Sequence, residues 1–298
     1  MGLYRIPEAA IAELNALARN GVVDITSAAV VNSAFYRAIQ TETEIEVNRD
    51  LYLSPETILL IARIVAKSPA IHTINMSGNN LGALGPATAT ALAASPIIHT
   101  VDMSGNYLGA HGPATATALA ASPSIHTVNM SNNDLGKYGP ATASALAASP
   151  VIHTVYMWGN NLGAHGPATA TALAASPAIH TVHMSYNDLG AYGPVTATAV
   201  AASHTIHTVD MAYNHLGAYG PATATALTSS RTIHTVDMSG NHLGAHGSTT
   251  AAVFTDYNQN VADLIMLAHF ICIEVHPICD DLIYLICSYL DVPIKYSL

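Results

Sequence analysis

The reactive side chains of this sequence are concentrated near its C-terminus. They are His269, Cys272, His276, Cys279, Asp280 and Asp281. Cysteine and histidine together are typical zinc ligands, but Pro277 interrupts their helical spacing, and only three such ligands are close in sequence. A catalytic thiol needs an activating base, which the sequence alone does not place beside Cys279. We therefore favour buried free cysteines over a zinc site or a catalytic thiol, and we expect no cofactor.

Charged side chains are scarce in the middle of the chain. Between Ser68 and Gly247 they are Asp102, Asp134, Lys137, Asp188, Asp210, Arg231 and Asp237. Such isolated carboxylates do not make the pair that acid–base catalysis uses. The sequence also lacks a glycine-rich phosphate loop followed by Lys-Ser or Lys-Thr. It therefore predicts a protein that is not an enzyme.

The overall composition excludes other classes of protein. Of 298 residues, 9 are Lys or Arg and 19 are Asp or Glu, and apolar residues make up 50 %. The apolar fraction is too high for a disordered chain. The basic residues are too few to form the positively charged surface that binds nucleic acid. A run of about 18 uncharged apolar residues, which a membrane span requires, does not occur. The N-terminal residues do not resemble a secretory signal peptide, and the three clustered cysteines are typical of a reducing compartment.

A repeat of 27 residues organises most of the chain. The tetrapeptide Ile-His-Thr-Val/Ile begins at Ile71, Ile98, Ile125, Ile152, Ile179, Ile206 and Ile233. In the second unit, polar and apolar residues alternate from Thr100 to Ser104, which predicts a strand with one solvent-facing side. Pro113 then starts a helix predicted over residues 114–121, and Pro123 ends it. Such strand–helix units must stack in order to bury their apolar faces.

These units resemble the leucine-rich repeat, in its long ribonuclease-inhibitor-like subclass. The pattern L-x-x-L-x-L-x-x-N-x-L recurs seven times in register between Ile71 and about Ala252, with Ile, Val and Met at most leucine positions. The resemblance implies an α/β leucine-rich-repeat solenoid. This is a curved horseshoe with a concave parallel sheet and convex helices.

The segments that flank the repeats are predicted to be caps. The predicted order is an N-terminal helical cap (1–43), a degenerate first repeat (44–70), seven repeats (71–257) and a C-terminal helical cap (258–298). Helices are expected over residues 7–19, 27–40, 258–275 and 279–290. In the degenerate repeat, Ile45 and Val47 should face inward from a strand, and Ser54 should cap a helix that ends near Lys67. Gly21 is predicted to stop the first helix.

Two positions of the unit hold the same polar residue each time. The asparagines are Asn79, Asn106, Asn133, Asn160, Asn187, Asn214 and Asn241, and the histidines are His72, His99, His126, His153, His180, His207 and His234. We expect a structural ladder in which each buried asparagine amide bonds neighbouring backbone. The histidines should form a column with a spacing of about 5 Å, which does not converge on a metal ion. We interpret them as neutral rings that bond loop backbone, but protonation would place like charges side by side, so stability should fall below about pH 6.

Positions that differ between units are better candidates for recognition than those that never change. The exposed strand position holds Tyr156, His183, Asp210 and Asp237, and the positions just after the strand hold Trp158, Tyr186 and Tyr213. These seven residues belong to adjacent units on the predicted concave side. Aromatic side chains in an exposed patch are typical of interface hot spots. We therefore predict a protein-binding surface here.

The sequence as a whole predicts a protein-interaction scaffold. Its near-identical, alanine-rich units resemble the leucine-rich-repeat effectors that intracellular bacterial pathogens inject into host cells. That resemblance implies synthesis in the bacterial cytoplasm, a host protein as partner and action in the host cytoplasm. An alternative is a substrate adaptor that recruits a host ubiquitin ligase through the C-terminal helices, because residues 280–290 resemble the start of an F-box helix. The leading Leu-Pro of that motif is replaced by His276-Pro277, and the rest of the F-box is missing.

Overall fold

The structure of the protein, a computed structural model, describes residues 4–19, 25–47, 53–255 and 295–297. Its strands form one parallel sheet in which neighbouring strands are also consecutive in the chain. In order they are β1 (Tyr4–Arg5), β2 (Glu44–Glu46), β3 (Thr73–Asn75), β4 (Thr100–Asp102), β5 (Thr127–Asn129), β6 (Thr154–Tyr156), β7 (Thr181–His183), β8 (Thr208–Asp210), β9 (Thr235–Asp237) and β10 (Lys295–Ser297). The sheet therefore grows by one strand per unit.

Helices connect the strands and pack against one another in chain order. They are α1 (Glu8–Arg19), α2 (Ala28–Val31), α3 (Ala34–Ala38), α4 (Pro55–Val65), α5 (Gly85–Ala93), α6 (Gly112–Ala120), α7 (Gly139–Ala147), α8 (Gly166–Ala174), α9 (Gly193–Ala201) and α10 (Gly220–Thr228), and residues 247–255 are also helical. Packed helices need about 8–10 Å each and paired strands only about 4.8 Å. The layer of helices is therefore the longer one, and the sheet lines the concave side, which confirms the predicted curved horseshoe.

The interior of each unit is filled by the residues that the sequence pattern marked as apolar. In the second repeat, Val101 of the strand and Leu119 of the helix are fully buried. Thr100 and Asp102 lie on the opposite, half-exposed face of the strand. The predicted alternation is therefore confirmed, although regular strand structure ends at Asp102 and does not extend to Ser104. Full burial of one such aliphatic side chain contributes about 1.5–3 kcal/mol.

The asparagine of each unit connects that unit to the one before it. The Nδ2 atom of Asn133, which is fully buried, donates to the carbonyl oxygens of Met103 at 3.0 Å and Met130 at 2.9 Å. Its Oδ1 atom accepts from the backbone N–H groups of Asn106 at 2.9 Å and Leu108 at 3.3 Å. The same bonds recur along the column of asparagines. One side chain therefore satisfies backbone groups of two units at the point where the strand has ended.

A second polar column, which the sequence pattern did not reveal, lies where each helix ends. The Oγ atom of Ser122 accepts from the backbone N–H groups of Ser124 at 3.2 Å and Ile125 at 3.3 Å. The equivalent serines are Ser68, Ser95, Ser149, Ser176, Ser203 and Ser230. Pro123 follows Ser122 and cannot donate a hydrogen bond, so the serine organises the short turn into the next strand.

The repeat helices begin earlier than the proline pattern predicts. Helix α6 starts at Gly112, two residues before the predicted start, and a single 3-10 turn over Gly109–His111 precedes it. A Cβ atom at Gly112 would overlap the Cδ2 atom of Leu135 in the next unit. The start of the helix therefore packs directly against its neighbour, and glycine is the residue that fits there. Pro113 lies in the first helical turn, as predicted.

The degenerate first unit has the predicted strand, cap and helix. Ile45 and Val47 are buried at and just after β2. Ser54 caps α4 through its Oγ atom, which accepts from the backbone N–H of Thr57 at 3.2 Å. The helix ends at Val65, close to the predicted Lys67.

The prediction of one helix over residues 27–40 is wrong. Two short helices, α2 and α3, occupy this segment. Ser33 interrupts the helical pattern because its backbone is extended and its Oγ atom caps α3, accepting from the N–H of Tyr36 at 3.1 Å. The first predicted helix, in contrast, matches α1 to within one residue.

The C-terminal predictions fall largely on residues that the structure does not describe. The helices over 258–275 and 279–290, the cysteine–histidine cluster and the helix stop at Gly21 all lie outside the described residues. Residues 295–297 add β10, which the sequence did not predict, with Tyr296 opposite Val236 of β9. The boundaries between caps and repeats stay predictions. In the part of the chain that the structure describes, no helix is both long enough and apolar enough to cross a membrane.

The ladder makes a prediction about stability. Substituting Asn133→Ala should lower the free energy of unfolding by about 3 kcal/mol or more, because buried backbone donors and acceptors in two units lose their partner. Chemical denaturation measures this difference. The matched control is Asn161→Gly, at an exposed asparagine with a positive φ that bonds only across the rim. The control should change stability by less than about 0.5 kcal/mol, and an equally small change in the Asn133 variant would contradict the structural importance of the ladder.

Candidate functional site

The face of the sheet that points away from the helices carries the variable strand position. Its half-buried side chains are Asn75, Asp102, Asn129, Tyr156, His183, Asp210 and Asp237. Parallel pairing aligns them in one column, with Tyr156 opposite His183 and His183 opposite Asp210. Four of the predicted recognition residues are therefore direct neighbours across β6 to β9.

Three of these four residues interact directly. The rings of Tyr156 and His183 stack with centroids 4.3 Å apart and an interplanar angle of 10°. The Nδ1 atom of His183 lies 3.3 Å from Oδ2 of Asp210, and the Ser185 hydroxyl donates to the same oxygen at 3.0 Å. Burial acts to raise the pKa of Asp210, but the hydrogen bonds from His183, the N–H of Ala212 and Ser185 together lower that pKa. Asp210 is therefore held as a carboxylate.

Trp158, Tyr186 and Tyr213 form a second row, which we call the aromatic ridge. Tyr186 and Tyr213 stack with centroids 4.4 Å apart and an angle of 7°, and Trp158 meets Tyr186 at 6.4 Å in an edge-on arrangement. A Cβ atom at Gly240 would collide with the ring of Tyr213, so this ring lies against the glycine. Tyr186 is 53 % exposed and Tyr213 is 43 % exposed. The ridge is thus an ordered aromatic surface that faces solvent.

The two tyrosines of the ridge have left-handed backbone conformations, with φ of 53° at Tyr186 and 52° at Tyr213. The other residues of this column also have positive φ and are Gly78, Gly105, Asn132, Gly159 and Gly240. Glycine and asparagine adopt this conformation readily, whereas for a bulky L-residue it is unfavourable by about 1–2 kcal/mol. Strain retained at exposed side chains is typical of functional positions.

Asp237 extends the same face at its C-terminal side. It lies opposite Asp210 in the register of β8 and β9, and its Oδ1 atom accepts from the N–H of Ser239 at 2.8 Å. Two carboxylates are therefore adjacent at this end. Together with Asp102 they make the concave face acidic.

A concavity that the sequence analysis missed lies between Trp158 and the N-terminal strands, on the side of Trp158 away from Tyr186. We call it the concave trough, and its volume is about 950 Å³. The floor contains Ser77, Gly78, Ser104 and Gly105, the ends contain Arg5 with Glu46 and Trp158, and the rim contains Tyr107, Asp134 and Asn161. Along the trough, the column that holds tyrosine in the ridge is occupied by the smaller residues Gly78, Gly105, Asn132 and Gly159, which also line it.

The rim of the concave face is a second left-handed column, which sequence analysis also missed. Its members are Asn80, Tyr107, Asp134, Asn161, Asp188, His215 and His242, with φ between 52° and 57°. Polar contacts run along it, since Asn161 donates to Asp134 at 3.1 Å and His215 Nδ1 lies 2.6 Å from the carboxylate of Asp188. The frequent Asn, Asp and Gly residues on both sides of the ladder asparagine are the signal that predicts such turns.

The invariant histidines form a column at the start of the strands. Successive ring centroids are 5.3 Å apart, and from His126 onward the rings are stacked. Only part of the expected backbone bonding is present in the structure: the Nδ1 atom of His72 lies 2.6 Å from the carbonyl of Ala70, while that of His234 faces the hydroxyl of Thr235. Partial burial and the neighbouring His234 lower the pKa of His207. Among the described residues, no group of three or more His, Cys, Asp or Glu could hold a metal ion.

The comparisons with known proteins agree with this architecture. No family model and no curated protein matches the chain. Among solved structures, the chain is similar to the crystal structure of the leucine-rich repeat-containing protein LegL7 from Legionella pneumophila, with a TM-score of 0.54 and 18 % sequence identity. The similarity covers 72 % of this chain and 70 % of LegL7. The chain has the leucine-rich-repeat fold. The leucine-rich-repeat unit predicted from the sequence is thereby confirmed in three dimensions, including its substitution of leucine by Ile, Val and Met.

The strain in the ridge leads to a prediction about stability. Substituting Tyr213→Gly should change the free energy of unfolding by no more than about 1 kcal/mol, because relief of the left-handed strain offsets the lost ring stacking. Thermal and chemical denaturation measure it, with Tyr156→Ala as a control at an ordinary strand position. A loss of more than about 2 kcal/mol in the Tyr213 variant would show that this tyrosine supports the fold.

The histidine column predicts that stability depends on pH. His207 has a lowered pKa in the folded state, so the unfolded chain binds protons more readily; stability is retained above the unfolded pKa of about 6.5 and lost as the pH falls below it. Neighbouring imidazolium charges at 5.3 Å would add repulsion of about 0.8 kcal/mol per pair at the dielectric constant of water.

The melting temperature should therefore fall between pH 7.5 and pH 5. The variant His153→Gln/His180→Gln, which divides the column, should show a smaller decrease. The pKa of Asp210 is lowered, so this carboxylate titrates below pH 5 and does not contribute to the change in melting temperature. A melting temperature that is the same at both pH values would contradict the prediction.

Proposed function

We propose that this protein is a non-enzymatic scaffold that binds a protein partner through its concave face. The observation that carries the proposal is the aromatic ridge, in which Tyr186 and Tyr213 are exposed, stacked and held in a left-handed conformation. A glycine at either position would satisfy the backbone better, so the fold itself does not require a tyrosine. Ordered and exposed aromatic side chains of this kind are typical of interface hot spots.

The chemistry around the ridge supports a protein as the partner. Tyr156, His183 and Asp210 provide a stacked and hydrogen-bonded row of donors and acceptors beside it. These side chains are fixed by one another before binding, so little conformational entropy is lost when a partner docks. An aromatic centre with a polar surround is the composition of a protein-binding surface.

We further propose that the partner is a host protein and that this protein is a translocated bacterial effector acting in the host cytoplasm. Support comes from the resemblance of its alanine-rich units to leucine-rich-repeat effectors and from the fold that it shares with a Legionella pneumophila protein.

Capture of partners from a eukaryotic cell lysate tests the proposal. The full chain is immobilised beside the ridge variant Tyr186→Gly/Tyr213→Gly, which retains the backbone conformation of the column. We expect the native chain to enrich a protein that the ridge variant captures at least about tenfold less, in accord with the loss of interface hot spots.

The matched control is Tyr192→Ala/Tyr219→Ala, which removes two equally exposed tyrosines from the same repeats but from the turns that precede α9 and α10. This control should capture the partner as the native chain does. Equal capture by the ridge variant, or equal loss in both variants, would argue against binding through the ridge.

A further inference from the structure

The concave trough adjoins the aromatic ridge and shares Trp158 with it, and its other residues belong to the N-terminal strands and the first four repeats. We propose that the trough is a site for an arginine side chain, carried by a basic, extended segment of the partner. This inference rests on the proposed function, because it assumes that the partner is a protein and that the arginine belongs to it. Tyr186 and Tyr213 of the ridge do not line the trough, so the two surfaces can be tested separately.

The shape of the trough suits an extended segment. Gly78 and Gly105 leave parts of its floor without side chains, and their N–H groups already donate to the carbonyl oxygens of Ser104 and Ser131 in the adjacent units. The floor is therefore a satisfied backbone surface. A volume of about 950 Å³ exceeds that of one side chain and is of the size of known ligand sites.

The charge of the trough favours a cation. Among the described residues, Arg5 is the only basic one in the lining, and its Nε atom is paired with Glu46 at 3.0 Å. Asp134 at the rim has one oxygen bonded to Asn161, and a carboxylate can accept further hydrogen bonds. The half-buried carboxylate of Asp102 lies on the strand directly before the floor residues. The two carboxylates of the lining, Glu46 and Asp134, therefore outnumber its one guanidinium group, and a cationic segment is favoured over an anionic one.

The aromatic residues of the trough distinguish arginine from lysine. Trp158 forms one end and Tyr107, which is 63 % exposed, lies on the rim. A planar guanidinium group stacks on aromatic rings and can at the same time donate two parallel hydrogen bonds to one carboxylate. An ammonium group offers neither planar stacking nor bidentate geometry. Trp158 and Asp134 in one concavity therefore fit arginine best.

The single tryptophan of the chain provides a direct measurement, because all tryptophan fluorescence comes from Trp158. The full chain is titrated with three synthetic peptides in which glycine alternates with arginine, lysine or glutamate. We expect a saturable change with the arginine peptide, an apparent Kd at least about fivefold weaker with the lysine peptide, and no change with the glutamate peptide. Binding should also weaken as the salt concentration rises.

Two variants locate the binding in the trough. Gly105→Tyr fills the floor with a residue that the same column accepts elsewhere, and the nearest atoms to its Cβ, in Gly78, are 3.6 Å away. Asp134→Asn removes the rim carboxylate. Each should weaken arginine-peptide binding about fivefold or more. Asp134→Asn should leave the melting temperature close to that of the native chain, whereas Gly105→Tyr, at a φ of 63°, should lower it by a few degrees because of the left-handed strain, with the chain still folded. The control Asp188→Asn alters the same rim column two units away, outside the trough, and should bind normally.

The outcomes separate the two proposals. Equal affinity for the arginine and lysine peptides, or undiminished arginine binding in both trough variants, would overturn the arginine site. Loss of protein capture in the ridge variant alone would then leave the proposed function standing. Conversely, arginine-specific binding that both trough variants weaken would support the site even if the lysate yielded no ridge-dependent partner.

Discussion

The asparagine ladder is the interaction on which the rest of this structure depends. At the end of each strand, the backbone turns away from the sheet, and some of its N–H groups, such as those of Asn106 and Leu108, bond a side chain instead of neighbouring backbone. A buried amide with two donors and an acceptor that can receive two bonds, such as that of Asn133, bonds backbone groups in its own unit and in the one before. Because these atoms must meet within hydrogen-bond distance, the end of each strand has the same position relative to its neighbour in every unit. The constant spacing of 27 residues between the starts of successive units extends this regular stacking to the helices.

A fixed unit geometry converts sequence positions into columns on the surface. Tyr156, His183 and Asp210 are 27 residues apart in sequence, yet they lie side by side because parallel register aligns them. The strand spacing also suits aromatic stacking, as the 4.4 Å separation of Tyr186 and Tyr213 shows. The neighbours of any substituted residue can therefore be predicted, because they are the residues 27 positions before and after it. Binding surfaces can be assembled from such changes without any alteration of the backbone.

The sequence was sufficient for the fold because the same pattern is repeated seven times, so a wrong interpretation of any one unit would conflict with the others. The ladder and the column of aromatic residues could be predicted for the same reason. Features without a repeat were harder, and Ser33 divided a predicted helix because its cap competes locally with helical periodicity. The trough could not be predicted, since one of its ends depends on contact between Arg5 and Glu46, which are far apart in sequence. The left-handed conformation of Tyr186 was also hidden, because only comparison with Gly78, Gly105 and Gly159 in the same column indicates it.

That left-handed column connects the two halves of the concave face. Its one structural requirement is a positive φ, which glycine meets without strain and without occupying space above the sheet. Where glycine is present, as at Gly78 and Gly105, the face is recessed; where tyrosine is present, as at Tyr186 and Tyr213, it is raised and aromatic. The column can therefore change the shape of the surface while the ladder beneath it keeps every backbone bond. Charged side chains are rare in the repeats, so a single carboxylate such as Asp134 or Asp210 has few neighbouring charges to oppose its field. Each carboxylate therefore has a large effect on which partner the concave face binds.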